Sequence, residues 1–137
     1  MDTITALSTP AVVSAIGIVR MSGDRAIEIA DRVFTPASGT PLCERKSRAL
    51  VYGTIKDVNG DIFDYCLCTI SRSPNSYTGE DTVEFQCHGS PVVLRLLLET
   101  LFSHGARQAL AGEFTKRAFL NGKILLTGAE SVINIIE

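Results

Sequence analysis

Residues 74–91 read PNSYTGEDTVEFQCHGSP, and they put a turn, a carboxylate-bearing strand and a helix start into one short segment. Pro74, Asn75, Ser76 and Gly79 are residues that bend a chain tightly or tolerate positive φ. The next stretch alternates, with Val83, Phe85 and Cys87 on one face and Thr82, Glu84, Gln86 and His88 on the other, which is the period of a half-buried strand. Glu84 therefore leaves the apolar stripe and can face a ligand. After Gly89, Ser90 suits an N-cap and Pro91 the first helical turn, where a missing N–H costs nothing. A small-molecule site fits this segment better than any other in the chain.

Outward from that segment, residues 91–104 are crowded with Val92, Val93, Leu94, Leu96, Leu97, Leu98, Leu101 and Phe102, which predicts a helix buried on more than one side. Gly105 ends it as a C′ residue. Residues 106–111 read as a short strand, and residues 114–120 as a helix stopped by Asn121-Gly122. On the N-terminal side, residues 2–8 and 15–21 read as strands joined by a loop over 9–14. A helix follows, capped by Ser22 or Asp24, with Ala26, Ile29, Ala30, Val33 and Phe34 at three- and four-residue intervals. Residues 35–47, with Pro36, Gly39 and Pro41, are expected to be loop. Asn59-Gly60 between the β-rich runs 49–56 and 62–70 predicts a hairpin with positive φ at both turn positions. Thr127 and Glu130 form a capping box for a last helix carrying Val132, Ile133, Ile135 and Ile136. Its apolar face is incomplete at Glu137, which predicts a larger helical domain beyond. This order of elements predicts an α+β fold, a mixed sheet with helices mainly on one side.

The chain has 137 residues, 45% of them hydrophobic, enough for one domain with its own core. Thirteen Lys and Arg stand against 15 Asp and Glu, so the surface lacks the positive footprint of a duplex or tRNA binder. Between Gly105 and Lys123, however, Arg107, Lys116, Arg117 and Lys123 face a lone Glu113, either an anion site or a solvated helix face. No apolar run approaches the roughly 18 residues that cross a bilayer, and no signal peptide is visible, so no membrane association and a cytoplasmic location are expected. Cys43, Cys66, Cys68 and Cys87 have no CxxC spacing and are expected to be reduced, with Cys66, Cys68 and Cys87 in the core. Cys87 and His88 point to opposite faces of a strand, which argues against a metal or a thiolate–imidazole pair.

Motifs for self-contained catalysis are missing. Gly122-Lys123 lacks the rest of a phosphate-binding loop, there is no GxGxxG, and no Ser or Cys sits in a nucleophile elbow. The residues that stand out suit a heterocycle instead. A carboxylate accepts a bidentate pair of N–H donors such as a pterin or guanine edge presents, and Glu84 fits that role. Arg20 shares its strand face with Ile16 and Ile18, so it needs an anionic partner or solvent. Lys123, after the Asn121-Gly122 stop, can reach an anionic tail. The same residues read without a ligand as a strand-edge salt bridge, a polar face and a solvated lysine.

Four segments, MDTITALSTP, IGIVRMSG, SPNSYTGEDTVEFQCHGSPVVL and GEFTKRAFLNGKILLTGAES, resemble the N-terminal domain of the tRNA-modification GTPases called MnmE or TrmE, in order and spacing from end to end. The resemblance implies a folate-binding, homodimerising α+β domain over residues 1–120, similar in fold to aminomethyltransferase-type domains, and the start of a helical domain over 121–137. It implies a tetrahydrofolate derivative such as 5-formyltetrahydrofolate as ligand, with contacts falling on Arg20, Glu84 and Lys123. In such proteins a GTPase domain using GTP, Mg and K follows. A flavin-dependent MnmG partner then joins in carboxymethylaminomethyl modification of wobble uridine in tRNA. The family's glycine-rich PPGRGG-like loop is replaced here by STPAVVSA, losing glycines and an arginine. A pure dimerisation module with a degenerate folate site is the alternative that this loop supports, and an independent one-carbon transferase is a third.

Overall fold

The computed structural model describes residues 2–124. In chain order it contains β1 (Ile4–Leu7), β2 (Ser14–Ser22), α1 (Ala26–Val33), β3 (Phe34–Pro36), β4 (Leu50–Lys56), β5 (Ile62–Ser71), β6 (Thr82–Gly89), α2 (Pro91–Ser103), β7 (Arg107–Gln108) and α3 (Glu113–Leu120), with a 3-10 turn at Leu42–Glu44. The strands form a seven-stranded sheet in the order β3-β4-β5-β6-β2-β1-β7. All pairings are antiparallel except that of β1 with β7. This is the mixed-sheet α+β architecture that the sequence predicts.

Alternation along the strands separates two faces. Val19, Met21, Cys66, Cys68, Ile70, Val83 and Phe85 are buried together with Ile29, Ala30 and Val33 of α1 and Leu94, Leu97 and Leu101 of α2. Each large aliphatic or aromatic side chain so buried contributes about 1.5–3 kcal/mol. The intervening strand residues, among them Ile16, Arg20, Tyr52, Tyr65, Glu84, Gln86 and His88, face away from this core. The segment 74–91 folds as its residues dictate: the loop leads into β6, and Ser90 Oγ accepts from Val93 N–H at the start of α2. Gly105 closes α2, with its N–H on the Phe102 carbonyl and that of Ala106 on Leu101, the paired bonds of a Schellman ending.

Several expectations are corrected. α2 is buried along one stripe only, while Val92 and Phe102 are exposed, because only the sheet and α1 cover it. α1 starts after Arg25 without a side-chain cap, since the Ser22 hydroxyl is engaged by Glu80 and Thr78. It ends at Val33, and Phe34 opens β3, an edge strand within what reads as helix end and loop. At the β4–β5 hairpin only Gly60 has positive φ, at 86°. Asp57 organises the turn instead, its carboxylate accepting from the N–H groups of Asn59 and Asp61. The capping box at Thr127 and Glu130 lies outside the described residues.

Cys66, Cys68 and Cys87 are buried and Cys43 is exposed, all as free thiols. A hydrogen bond to Cys87, together with burial, pushes the Cys66 thiol well above its ordinary range, and burial does the same for Cys68. Such thiols stay protonated and structural. His88 does point away from Cys87: it is exposed, and its Nδ1 lies 2.8 Å from Asp64 Oδ1. Among the described residues, no group of three His, Cys, Asp or Glu can hold a metal ion, and no helix is long and apolar enough to cross a membrane.

Candidate ligand site

β2 and β6 are neighbours in the sheet, in a register that sets Arg20 directly opposite Glu84. Both side chains leave the helix-covered face, and Arg20 Nε donates to Glu84 Oε2 at 2.8 Å. The strand runs two residues past Arg20, so this is a pair in the sheet interior and not at a strand end. A solvent-reached pair of this kind adds about 1 kcal/mol or less to stability. Its interest lies in what it presents, a fork of N–H donors beside carboxylate acceptors.

Two aromatic rings close on the guanidinium. The carbon at its centre lies 5.3 Å from the Tyr77 ring centroid and 5.6 Å from that of Phe114, within cation–π reach. Tyr77 comes from the loop before β6 and Phe114 from the first turn of α3, and the Tyr77 hydroxyl meets Thr115 Oγ1 at 2.9 Å. Beside Arg20 opens a cavity of about 340 Å³ lined by Ala6 and Leu7 of β1 and Ser8 just after it, by Ala109, Leu110, Ala111 and Gly112, and by Phe114 and Thr115. Apolar side chains beside one guanidinium and two hydroxyls fit a flat ring that has a polar edge.

Arg20 and Glu84 are thus brought together, and of the two only Arg20 lines the cavity. Lys123 does not line the cavity; it is exposed just beyond α3, its N–H bonded to the Ala118 carbonyl at 2.8 Å. The cation run is also rearranged. Arg117 is only 3% exposed and pairs with Glu80 at 3.0 Å and Asp2 at 2.6 Å. Arg107 pairs with Asp2 at 2.6 Å and Glu113 at 2.7 Å. Two of the four cations, buried Arg117 and half-exposed Arg107, are therefore neutralised by carboxylates of the domain and offer no anion site. Hydrogen bonds from Arg107 and Arg117 hold the Asp2 carboxyl down to about 2, and the Arg107 bond lowers Glu113.

Tyr77, Phe114 and Arg117 were not foreseen. Tyr77 and Phe114 lie in segments with no strand or metal pattern to mark them, and Arg117 reads as one more cation in a basic run. No helical stripe marks it: Arg117 is buried in α3 with Thr115 and Ala118, but positions 115 and 117 lie on different sides of the helix.

Fold and site together define an α+β module that carries an arginine–glutamate pair beside a ring-sized cavity. A family model described as "GTP-binding protein TrmE N-terminus" matches residues 3–123, and the chain belongs to that family. It is 47% identical over 136 residues to the tRNA modification GTPase MnmE of Symbiobacterium thermophilum, covering 99% of this chain and 30% of that protein. The tRNA modification GTPase MnmE of Carboxydothermus hydrogenoformans is 51% identical over 137 residues, with 99% and 30% covered. That of Clostridioides difficile is 46% identical over 136 residues, with 99% and 29% covered. The chain thus spans about 30% of the length of these relatives.

Proposed function

We propose that the chain is the tetrahydrofolate-binding, homodimerising N-terminal domain of a GTPase that, with a flavin-dependent partner, installs carboxymethylaminomethyl groups on the wobble uridine of tRNA. The observation that carries the ligand reading is the Arg20–Glu84 pair at 2.8 Å, whose arginine lines the cavity. The carboxylate, with one oxygen bonded to Arg20, has acceptor capacity for the N–H edge of a pterin, and the guanidinium has donors for a carbonyl or carboxylate of the same ligand. Residues 1–120 form the binding and dimerising unit in this reading, residues 121–137 begin a helical domain, and Lys123 reaches the ligand's anionic tail. GTP binds elsewhere in the whole protein, because this chain has no phosphate-binding loop.

Support for self-association comes from the uncovered sheet face. Ile16, Leu50, Tyr52, Ile62 and Tyr65 are each more than half exposed there, and the Tyr52 and Tyr65 rings stack with their planes 10° apart. A patch of that kind marks an interaction surface, and an apolar one meets its own copy without like-charge repulsion. The neighbouring loop adds Val12 and Val13, 60% and 83% exposed, where relatives' glycine-rich sequence is expected. That loop favours a second reading, a dimerisation module with a degenerate folate site. Sedimentation of the chain alongside titration with 5-formyltetrahydrofolate separates the two: a dimer with saturable binding supports the first, and a dimer that binds no folate supports the second.

A further inference from the structure

The two aromatic walls of the Arg20 site come from separate pieces of chain, and a buried polar hub joins those pieces. Arg117 of α3 donates through Nη1 to Glu80 Oε1 at 3.0 Å and to the Asp2 carbonyl at 2.7 Å, and through Nη2 to Asp2 Oδ1 at 2.6 Å. Glu80 lies three residues after Tyr77 in the same loop, and its Oε1 also accepts from Ser22 Oγ at 2.7 Å. Ser22 Oγ meets Thr78 Oγ1 at 2.8 Å, while Asn121 Nδ2, just past α3, donates to the Thr78 carbonyl at 2.8 Å. Gly79, at φ 82°, lets the loop press so close to this end of α3 that a Cβ there would stand 2.7 Å from Asn121 Cβ.

We propose that Arg117 is a positioning residue for the Arg20 site: by tying Glu80 of the loop to α3 and to Asp2, it holds Tyr77 and Phe114 as paired walls around the Arg20 guanidinium. Arg117 does not line the cavity, so it acts through Phe114, which does, and through Tyr77, which lies against the Arg20 guanidinium. Only a guanidinium suits the task. Its planar fork of donors serves a carboxylate, a backbone carbonyl and a second carboxylate at once, and the point charge of a lysine cannot reach all of them. Arg117 and Phe114 are three residues apart, one helical turn, so a shift of Arg117 moves the Phe114 wall with it. The consequence for ligand affinity rests on the folate reading above; the consequence for Tyr77 does not.

The test uses the 137-residue chain carrying Tyr52→Phe and Tyr65→Phe, in which Tyr77 is the remaining tyrosine. Acrylamide quenching of its fluorescence then reads the wall with no ligand added. Arg117→Lys is expected to raise Tyr77 quenching about twofold, as a locally released loop would, with far-UV circular dichroism unchanged. It is also expected to weaken 5-formyltetrahydrofolate binding about tenfold. Glu80→Gln, which keeps the shape and removes the charge, is expected to move both readouts the same way and decides the matter if Arg117→Lys does not fold. A purely structural Arg117 would lower the melting temperature and leave Tyr77 quenching in the folded protein as in the parent. That result, or a folded Arg117→Lys that binds folate as tightly as the parent, overturns the proposal. If the parent itself binds no folate, the folate reading falls, and the quenching result alone upholds or overturns the role of Arg117.

Discussion

At the β1–β7 edge of the sheet charge is buried, whereas across β4 and β5 apolar surface is left in water. The first region packs Arg117, Glu80 and Glu113 out of solvent and links them through Asp2 to Arg107. The second exposes Leu50, Tyr52 and Tyr65 and, in the loop at residues 9–14, Val13. Neither arrangement is the cheapest way to fold. A buried ion pair recovers its desolvation cost only with full hydrogen bonding, and among the described residues no buried side-chain N or O lacks a partner. An exposed apolar patch costs solubility unless something covers it. The difference teaches that the edge is built for fixed geometry around Arg20 and the open face for contact.

If that contrast holds, the largest effect comes from breaking the hub. Arg117→Met leaves Glu80 buried without its cation, and chemical denaturation is expected to show a loss of about 3–5 kcal/mol. A loss below about 1 kcal/mol would put Arg117 with ordinary surface ion pairs and erase the contrast. Next in size is Glu84→Ala, expected to weaken folate binding by about 1.5–3 kcal/mol, the scale of a charge-assisted hydrogen bond; calorimetric titration giving an unchanged affinity removes Glu84 from the site. On the open face, Tyr65→Asp sets a charge amid apolar surface and is expected to weaken self-association about tenfold or more in sedimentation equilibrium. It should leave the monomer's stability nearly unchanged, and a self-association constant equal to the parent's would place the contact elsewhere.

Acid sharpens the comparison further. The folded-state carboxyl of Asp2 is lowered from its ordinary 3.8 to about 2. A lowered folded value means that the carboxylate stabilises the fold fully above the ordinary value, and that this contribution is lost as pH falls through the folded one. The tie between the N-terminus and Arg107 and Arg117 is therefore expected to weaken within that window, with Glu113 contributing in the same direction. Asp2→Asn should flatten the acid limb of a melting-temperature profile, and an unflattened limb would exclude Asp2 as its source. Smallest of all is Glu28→Ala, which removes exposed pairs with Arg25 and Arg32 along α1. No resolvable shift of the denaturation midpoint is expected there, and the contrast with Arg117 is the point of making it.

Much of this was legible in one dimension because local periodicity carries it. β6 alternates from Val83 onward, so Glu84 could be set on the non-core face, and the Ser90-Pro91 start and Gly105 end of α2 follow from local backbone chemistry. The pairing of Arg20 with Glu84 was not legible. It depends on the register between strands 64 residues apart, which no local pattern states. The hub was hidden for the same reason: Asp2 and Arg117 meet across 115 residues, and until they do Arg117 reads as a solvated cation. β3 escaped because three residues with a proline carry too little pattern to oppose the loop signals around them. The one-sided burial of α2 depends on what lies against it, which its own leucine-rich sequence does not reveal.

Isothermal titration of the 137-residue chain with 5-formyltetrahydrofolate, beside its Glu84→Ala variant and with fold and self-association checked in the same samples, tests the ligand site most directly. Saturable heat from the parent, weakened by about tenfold or more in the variant, is the result predicted. A folded, self-associated parent that gives no saturable signal at high micromolar ligand would contradict it.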